Sequence, residues 1–229
     1  MDALILAGGF GTRLRAVVPD LPKPMAPVCG KPFLELLLGA LRGKGLRRAV
    51  LSLGYRADVI AGHFGSHFGG LELAYEIEDQ PLGTGGAIRR GLARCESDAA
   101  LVVNGDTLLD IELQAVQAEW RHLQRPLIVG VSVPDTSRYG RLSVDHGRLT
   151  GFTEKGVAGP GLINTGHYVL PRTLLDDPAL PAAFSFEADF LVPRLASLQM
   201  ALFTSAGSFI DIGIPEDYAR AQAELARFA

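Results

Sequence analysis

Short apolar runs alternate with stretches of helical spacing along most of this chain, and this alternation limits the available folds more than any other feature. The apolar runs are bounded by glycine and proline and cover residues 3–6, 48–53, 71–75, 99–103, 127–133 and 163–170. Helical spacing recurs at residues 33–44, 57–64, 85–92 and 113–124. Strands that alternate with helices build βαβ units. The sequence therefore predicts an α/β fold, with a Rossmann-like, mostly parallel mixed sheet and helices on both faces.

The second half of the chain departs from this alternation. Residues 141–142, 149–152 and the segment around Asn164 predict antiparallel additions to the sheet. Residues 216–227 predict a closing amphipathic helix with Pro215 in its first turn. Because no repeat, low-complexity tract or linker separates these parts, we expect residues 1–229 to form a single domain without an appended domain of hexapeptide repeats.

The charge balance argues against nucleic acid or membrane as a partner. The chain has 22 Lys and Arg residues against 25 Asp and Glu residues, a formal net charge of −3. Its first residues lack the basic start and apolar stretch of a signal peptide, and no run approaches the length of a membrane span. The two cysteines, Cys29 and Cys95, have no metal-ligand spacing and are too few for a disulfide scaffold. We therefore expect a cytoplasmic protein.

A glycine-rich loop follows the first predicted strand, where α/β folds bind ligands. Residues 6–14 read LAGGFGTRL. Glycines let backbone N–H groups approach a phosphate closely, and Arg13 adds a positive charge. A dinucleotide site requires a third glycine where Leu14 stands, and a P-loop requires a Gly-Lys-Ser/Thr ending, so neither motif fits. A simple tight turn between strand and helix is the alternative interpretation.

Lys23 lies between two prolines in the segment 21–28, LPKPMAPV. The prolines favour an extended path that holds the lysine near the glycine loop. Together, LAGGxGTRL and PKPM resemble the signature of the sugar-1-phosphate nucleotidyltransferase family. The resemblance implies the nucleotide-diphospho-sugar transferase fold, with Arg13 and Lys23 as catalytic residues on the triphosphate. It also implies a set of nucleotide-binding residues around the loop: Leu6, Ala7, Gly8, Gly9, Gly11, Thr12, Arg13 and Lys23.

Residues 78–87, EDQPLGTGGA, resemble the element of this family that meets the nucleobase. Gln80 offers both a donor and an acceptor to a base, and Gly85 leaves room for a flat ring. These two residues complete the predicted nucleotide site. The alternative interpretation is a loop that only starts a helix. For Thr84, this alternative and a role at the base have equal weight.

Two aspartates are candidates for a magnesium site. Asp106 follows the apolar strand 99–103, and one exposed carboxylate at a strand end suits Mg²⁺, which takes few protein ligands. In isolation such an aspartate is also a common helix cap. The resemblance implies that Asp106 and Asp211 are the Mg²⁺ ligands. Around Asp211, Phe209 and Ile214 stand where the family often has Trp and Thr, so the finer substrate contacts are not implied.

The resemblance also implies a sugar-phosphate site in the second half of the chain. Its residues, each matched to a family motif, are Gly140, Glu154, Lys155, Asn164 and Glu187. Adjacent residues on a strand point to opposite faces unless the strand bulges, so Glu154 and Lys155 enter one pocket only with a bulge.

The predicted reaction is transfer of a nucleoside monophosphate from an NTP to a sugar 1-phosphate, with release of pyrophosphate. We expect residues 1–110 to form mainly the nucleotide half and residues 111–229 mainly the sugar-phosphate half. The resemblance is greatest to the branch that joins GTP to D-glycero-α-D-manno-heptose 1-phosphate. Open alternatives are a uridylyltransferase, a mannose-1-phosphate guanylyltransferase and a catalytically silent nucleotide-sugar binder. The sequence leaves a homo-oligomer open.

Overall fold

The computed structural model describes residues 1–153 and 156–228, which form a layered arrangement of strands and helices. The strands are β1 (Asp2–Leu6), β2 (Pro27–Val28), β3 (Lys31–Pro32), β4 (Arg48–Leu53), β5 (His67–Phe68), β6 (Leu71–Ile77), β7 (Ala99–Asn104), β8 (Thr107–Leu109), β9 (Leu127–Val133), β10 (Arg141–Asp145), β11 (Arg148–Thr153), β12 (Gly161–Pro171), β13 (Ala201–Ser205) and β14 (Phe209–Asp211). The helices are α1 (Phe33–Gly43), α2 (Ala57–Phe64), α3 (Gly83–Arg94), α4 (Leu113–Leu123), α5 (Leu195–Leu198) and α6 (Pro215–Glu224).

Ten of these strands form one mixed sheet, in the order β10-β11-β13-β9-β12-β7-β1-β4-β6-β5. The neighbours β7, β1, β4 and β6 are parallel, and β13 is parallel to β9. Strand β12 runs antiparallel between β7 and β9 and joins the two parallel groups. Strand β10 pairs with both β11 and β12, so the five strands β10, β11, β13, β9 and β12 form a closed set in which each strand pairs with two of the others. The predicted α/β class with a mixed sheet is confirmed. The sheet is not mostly parallel as predicted, because the antiparallel pairings of the second half and of the β5–β6 hairpin outnumber the parallel pairings.

Apolar side chains cover both faces of the sheet, because strand residues alternate in direction. Ile5 of β1 packs into one core with helices α1, α2 and α4. Leu4 packs into a second core with Ile88 and Leu92 of α3. Helices therefore lie on both faces, as predicted. Within the described ranges, no helix is both long and apolar enough to cross a membrane.

The carboxyl ends of the central parallel strands meet at one edge of the sheet. The N–H of Ala7, after β1, donates to the Ser52 carbonyl of β4 at 2.8 Å. The N–H of Gly105, after β7, donates to the Leu6 carbonyl at 2.9 Å. These bonds bring the loops after β1, β4 and β7 side by side, which is where open α/β sheets bind ligands.

The structure differs from the sequence expectation mainly in short or irregular elements. Strands β8 and β14, of three residues each, pair antiparallel and were not predicted, because so few residues show no periodicity. A π-helical turn at Phe186–Leu191 was also not predicted. The closing helix α6 begins at Pro215, as expected, but ends at Glu224 and is followed by a 3₁₀ turn.

Candidate active site

A cavity of about 610 Å³ opens at the edge of the sheet where the parallel strands end. Its walls are the loops after β1, β4, β6 and β7, together with the start of α3 and the segment around Lys23. The lining residues are Leu6, Ala7, Gly8, Gly9, Phe10, Gly11, Thr12, Arg13, Lys23, Pro24, Ser52, Gly54, Tyr55, Glu78, Asp79, Gln80, Pro81, Gly83, Thr84, Ala87, Asn104, Gly105, Asp106 and Gly213. The volume is in the usual range for a small-molecule site.

The glycine loop forms one wall of this cavity, and its backbone explains two of its glycines. Gly11 has a φ of +59°, and a Cβ there would lie 2.8 Å from the Cβ of Lys23. A Cβ on Gly8 would lie 3.1 Å from the backbone nitrogen of Gly54. Glycine therefore permits both the left-handed turn and the close approach of neighbouring segments.

Lys23 begins a 3₁₀ turn, Lys23–Met25, and its ammonium group forms an ion pair with the Asp106 carboxylate inside the cavity. The Lys23 side chain is only 10% exposed, whereas Arg13 is exposed at the cavity wall. The predicted catalytic residues Arg13, Lys23 and Asp106 therefore all line one cavity. A largely buried lysine and an exposed arginine in one cavity provide positive charge for an anionic ligand.

Asp211 is brought to Asp106 by the pairing of β14 with β8. Asp211 lies opposite Thr107, and the Ile212 N–H donates to the Asp106 carbonyl at 3.0 Å. Burial and the nearby negative charge of Asp106 raise the pKa of Asp211, and Lys23 opposes this shift. A Cβ on Gly213 would lie 2.7 Å from Asp211 Oδ1 and 3.3 Å from Lys23 Nζ. Two carboxylates and one lysine therefore meet here.

This pair of carboxylates fits a hard divalent cation. Such a cation prefers oxygen ligands, and one that keeps several waters and substrate oxygens takes only one or two carboxylates. The described residues contain no cluster of three or more His, Cys, Asp or Glu side chains able to hold a metal. A cation at Asp106 and Asp211 would also relieve the repulsion that raises the Asp211 pKa.

The predicted base-binding segment lies partly in the cavity. Gln80 lines it and is exposed to it. Glu78 shapes the loop, since its carboxylate accepts hydrogen bonds from Ser52 Oγ at 3.2 Å and from the Leu82 N–H at 3.1 Å.

Gly85 is not among the described lining residues. A Cβ there would collide with the ring of Phe184, so packing against this ring, rather than room for a base, requires the glycine. Thr84 does line the cavity, and its Oγ1 accepts the Phe186 N–H at 2.9 Å. The start of α3 is therefore attached to the segment 184–187.

Three of the predicted sugar-site residues come together beside this cavity. The Asn164 N–H donates to the Gly140 carbonyl at 3.0 Å, and Asn164 Nδ2 donates to Glu187 Oε1 at 2.8 Å. None of the three lines the cavity itself. Glu154 and Lys155 lie outside the described residues.

Several lining residues were not predicted from the sequence. Ser52 and Tyr55 lie at and after the end of β4, and Asn104 ends β7. Asn104 is part of the segment that resembles the family's Asn/Gly-x-Asp motif, but no role was predicted for its side chain. Each of the three residues lies at the carboxyl end of a parallel strand. That position was the one available signal, because ligands bind at this edge of an open α/β sheet.

A profile of the nucleotidyl transferase family matches residues 2–227. The chain belongs to the nucleotidyl transferase family. The resemblance found in the sequence is thereby confirmed. Among solved structures similar to this nucleotidyl transferase is HddC from Yersinia pseudotuberculosis complexed with GMP-PN, with a TM-score of 0.87 and 41% identity over 96% of this chain and 97% of that one.

Two relatives of this nucleotidyl transferase are D-glycero-α-D-manno-heptose 1-phosphate guanylyltransferases. The enzyme of Aneurinibacillus thermoaerophilus is 38% identical over 229 residues, which is the full length of both chains. The enzyme of Campylobacter jejuni is 41% identical over 219 residues, which is 95% of this chain and 97% of that protein.

Proposed function

We propose that this nucleotidyl transferase joins GTP to D-glycero-α-D-manno-heptose 1-phosphate, giving GDP-heptose and pyrophosphate. The observation that carries the proposal is the similarity, over nearly the whole chain, to guanylyltransferases of this substrate. A phosphate oxygen of the heptose 1-phosphate forms a bond to the α-phosphorus of GTP. The bond from that phosphorus to the α,β-bridging oxygen breaks, and its electrons leave with pyrophosphate. The phosphate is already a nucleophile, so the reaction needs no covalent intermediate.

Residues 1–110 bind the nucleotide in this proposal. The triphosphate lies along the glycine loop, where Gly8, Gly9 and Gly11 allow backbone N–H groups to approach its oxygens. Gln80 hydrogen-bonds the base. The shared position of the glycine loop and Gln80 in one cavity supports these assignments.

Arg13 and Lys23 bind and neutralise the phosphates. Two polyanions must approach each other, and negative charge builds up on the leaving pyrophosphate, so fixed positive groups lower the barrier. Lys23 forms an ion pair with Asp106 before the substrate arrives. The lysine can therefore pass from the carboxylate to a phosphate oxygen with little movement, because both partners lie within the same cavity.

Asp106 and Asp211 hold Mg²⁺ in this proposal. When bound there, Mg²⁺ supplies positive charge next to the triphosphate. The protein's contribution is to fix both carboxylates near the Lys23 ammonium group through the β8–β14 pairing.

Residues 111–229 bind the sugar 1-phosphate, in a subsite that Gly140, Asn164 and Glu187 form. The hydrogen bonds that link these three residues support one shared subsite. Glu154 and Lys155 are proposed as contacts to the sugar and its phosphate by family resemblance alone. We place the reaction in the cytoplasm, where GTP is available.

Release of pyrophosphate from each of the common NTPs, paired with heptose, mannose, glucose and amino-sugar 1-phosphates, tests the proposal. We expect turnover with GTP and heptose 1-phosphate in Mg²⁺, and none in EDTA. Turnover with UTP in place of GTP would contradict the assigned base, and a preference for mannose 1-phosphate would contradict the assigned sugar. No turnover with any pair, despite binding of GDP-sugars, would identify a silent nucleotide-sugar binder instead.

A further inference from the structure

Asn164, Tyr168 and Glu187 form a closed ring of hydrogen bonds beside the nucleotide cavity. Asn164 Nδ2 donates to Tyr168 Oη at 2.7 Å and to Glu187 Oε1 at 2.8 Å. Tyr168 Oη in turn donates to Glu187 Oε1 at 2.7 Å. The side-chain oxygen of Asn164 accepts the Gly166 N–H at 2.9 Å, which fixes the orientation of the amide.

The described hydrogen bonds of the donor groups in this ring stay within it. The Asn164 amide nitrogen donates to Tyr168 Oη and Glu187 Oε1, and the Tyr168 hydroxyl donates to Glu187 Oε1. Glu187 Oε2 accepts no hydrogen bond from the described part of the chain. The unused acceptor of the ring is therefore a carboxylate oxygen, which suits a ligand group that donates a hydrogen bond. A sugar hydroxyl is such a group, whereas a phosphate is not.

Packing holds this ring rigidly. Tyr168 is 2% exposed, and its ring meets that of Phe186 edge-on at a centroid distance of 5.1 Å. Phe186 is itself fully buried and stacks on Phe190 at 5.7 Å. Burial and the charge of Glu187 hold the pKa of Tyr168 well above its usual range, so the phenol keeps its proton at working pH.

The ring adjoins the cavity through two contacts. Phe186, one residue before Glu187, donates its N–H to Thr84, and Thr84 lines the cavity. Gly166, inside the bulge of β12, is covered by the side chain of Asn104, which also lines the cavity. Glu187 therefore lies one residue from a contact with the cavity lining.

We propose that Tyr168 and Asn164 are positioning residues that aim Glu187 Oε2 at a hydroxyl of the sugar. Glu187 contacts the sugar directly, and Asn164 acts through Glu187 because its own donors are already used. This inference rests on the proposed function and deepens it. A purely structural role for the ring is the competing explanation, since buried polar groups are normally hydrogen-bonded.

Binding of GDP and of GDP-heptose, measured by titration calorimetry on the full chain, separates the two explanations. We expect Tyr168→Phe to reduce the affinity advantage of GDP-heptose over GDP by about tenfold, as for loss of one hydrogen bond to a charged group. GDP affinity should stay within about twofold of native, which also shows that the variant is folded. In turnover, the KM for heptose 1-phosphate should rise by a similar factor and the KM for GTP should not.

Tyr75→Phe is the matched control. Like Tyr168→Phe, it removes a phenolic hydroxyl that donates a hydrogen bond. The acceptor here is the Gly65 carbonyl, and Tyr75 lies on β6 and does not line the cavity. It should leave the GDP-heptose advantage unchanged. Asn164→Asp tests the indirect role, because the new carboxylate keeps an acceptor for sugar but repels Glu187. We expect Asn164→Asp to reduce the affinity advantage of GDP-heptose over GDP as well, whereas a direct acceptor role for Asn164 would preserve that advantage.

Two results would overturn the inference. In one, Glu187→Gln removes the GDP-heptose advantage while Tyr168→Phe keeps it, which would show that Glu187 needs no positioning. In the other, the native protein binds GDP-heptose and GDP-mannose no more tightly than GDP. Because binding requires no turnover, a native protein that shows the advantage but catalyses nothing would contradict the proposed function and leave this inference standing.

Discussion

The proposed nucleotide side of the site, which is the cavity, and its proposed sugar side, around Gly140, Asn164 and Glu187, are built in different ways. On the nucleotide side, the loops after β1, β4, β6 and β7 converge because parallel strands end at one edge of a sheet. On the sugar side, the residues come from a bulge in β12, the segment before β10 and a π-helical turn. The comparison indicates that regular topology places the nucleotide side, whereas individual side-chain hydrogen bonds place the sugar side.

Loss of Lys23 should have the largest effect of any change on the nucleotide side. Lys23→Met removes the buried cation of the cavity and leaves two facing carboxylates. We expect kcat/KM to fall by about 10²–10³-fold, as for removal of one electrostatic group from an active site. Lys31→Met, at an exposed lysine outside the cavity lining, is the control and should retain native kinetics. More than about a tenth of native activity in Lys23→Met would contradict the role given to this lysine.

Gly11→Ala tests whether backbone geometry places the nucleotide side. The new Cβ would press against the Lys23 side chain, and the alanine would have to adopt a left-handed φ of +59°. The strain alone costs about 1–2 kcal/mol, and displacement of Lys23 should lower kcat/KM for GTP by about 10- to 100-fold.

Gly147→Ala separates the effect of backbone strain from the effect of displacing Lys23. Gly147 has a φ of +74° but open space around its Cβ position, in the turn between β10 and β11. It should lose stability without losing GTP kinetics. Equal kinetics in the two variants would show that Gly11 does not place Lys23.

Thr84→Val tests the connection between the two sides. The valine keeps the shape of the side chain but leaves the Phe186 N–H without its acceptor, next to Glu187. We expect the KM for the sugar 1-phosphate to rise by about five- to tenfold, as a buried donor loses its partner. Thr84→Ser keeps the hydroxyl and should remain near native. If Thr84→Val changed only the KM for GTP, the two sides would not be coupled through this bond.

Asp211→Asn should separate stability from activity. Burial and the charge of Asp106 raise the pKa of Asp211, so its ionised form destabilises the fold. This unfavourable contribution is fully present above the raised pKa and disappears as the pH falls below the unfolded value of 3.8. We therefore expect the metal-free variant to melt about 2–4 °C higher than native at pH 7.5, with the gain lost as the pH falls below 3.8, and to be inactive. A lower melting temperature at pH 7.5 would contradict the inferred repulsion.

The sequence predicted the nucleotide side better than the sugar side, for physical reasons. Long apolar strands and the motifs after them are local signals, so the cavity residues Gly8, Arg13 and Gln80 could be found. The Lys23–Asp106 ion pair joins residues 83 positions apart and depends on the folded sheet, which no local pattern reports. Gly85 was assigned to the base, because the sequence did not show that Phe184 would pack against it.

On the sugar side, the sequence suggested Asn164 and Glu187 only through family resemblance. It did not show that Tyr168 would connect them, since a buried tyrosine in an apolar strand also fits an ordinary core position. The π-helical turn that carries Glu187 has no periodicity that distinguishes it from a loop. Irregular backbone and tertiary hydrogen bonds therefore account for most of what sequence reasoning missed.

The most direct test of the central claim is a competition in a single reaction. Equal concentrations of GTP, ATP, UTP, CTP and dTTP are mixed with equal heptose 1-phosphate and mannose 1-phosphate, and the nucleotide sugars formed by the protein with Mg²⁺ are quantified by mass spectrometry. We expect GDP-heptose as the main early product. A UDP-sugar or GDP-mannose as the main product, or no nucleotide sugar at all, would contradict this expectation.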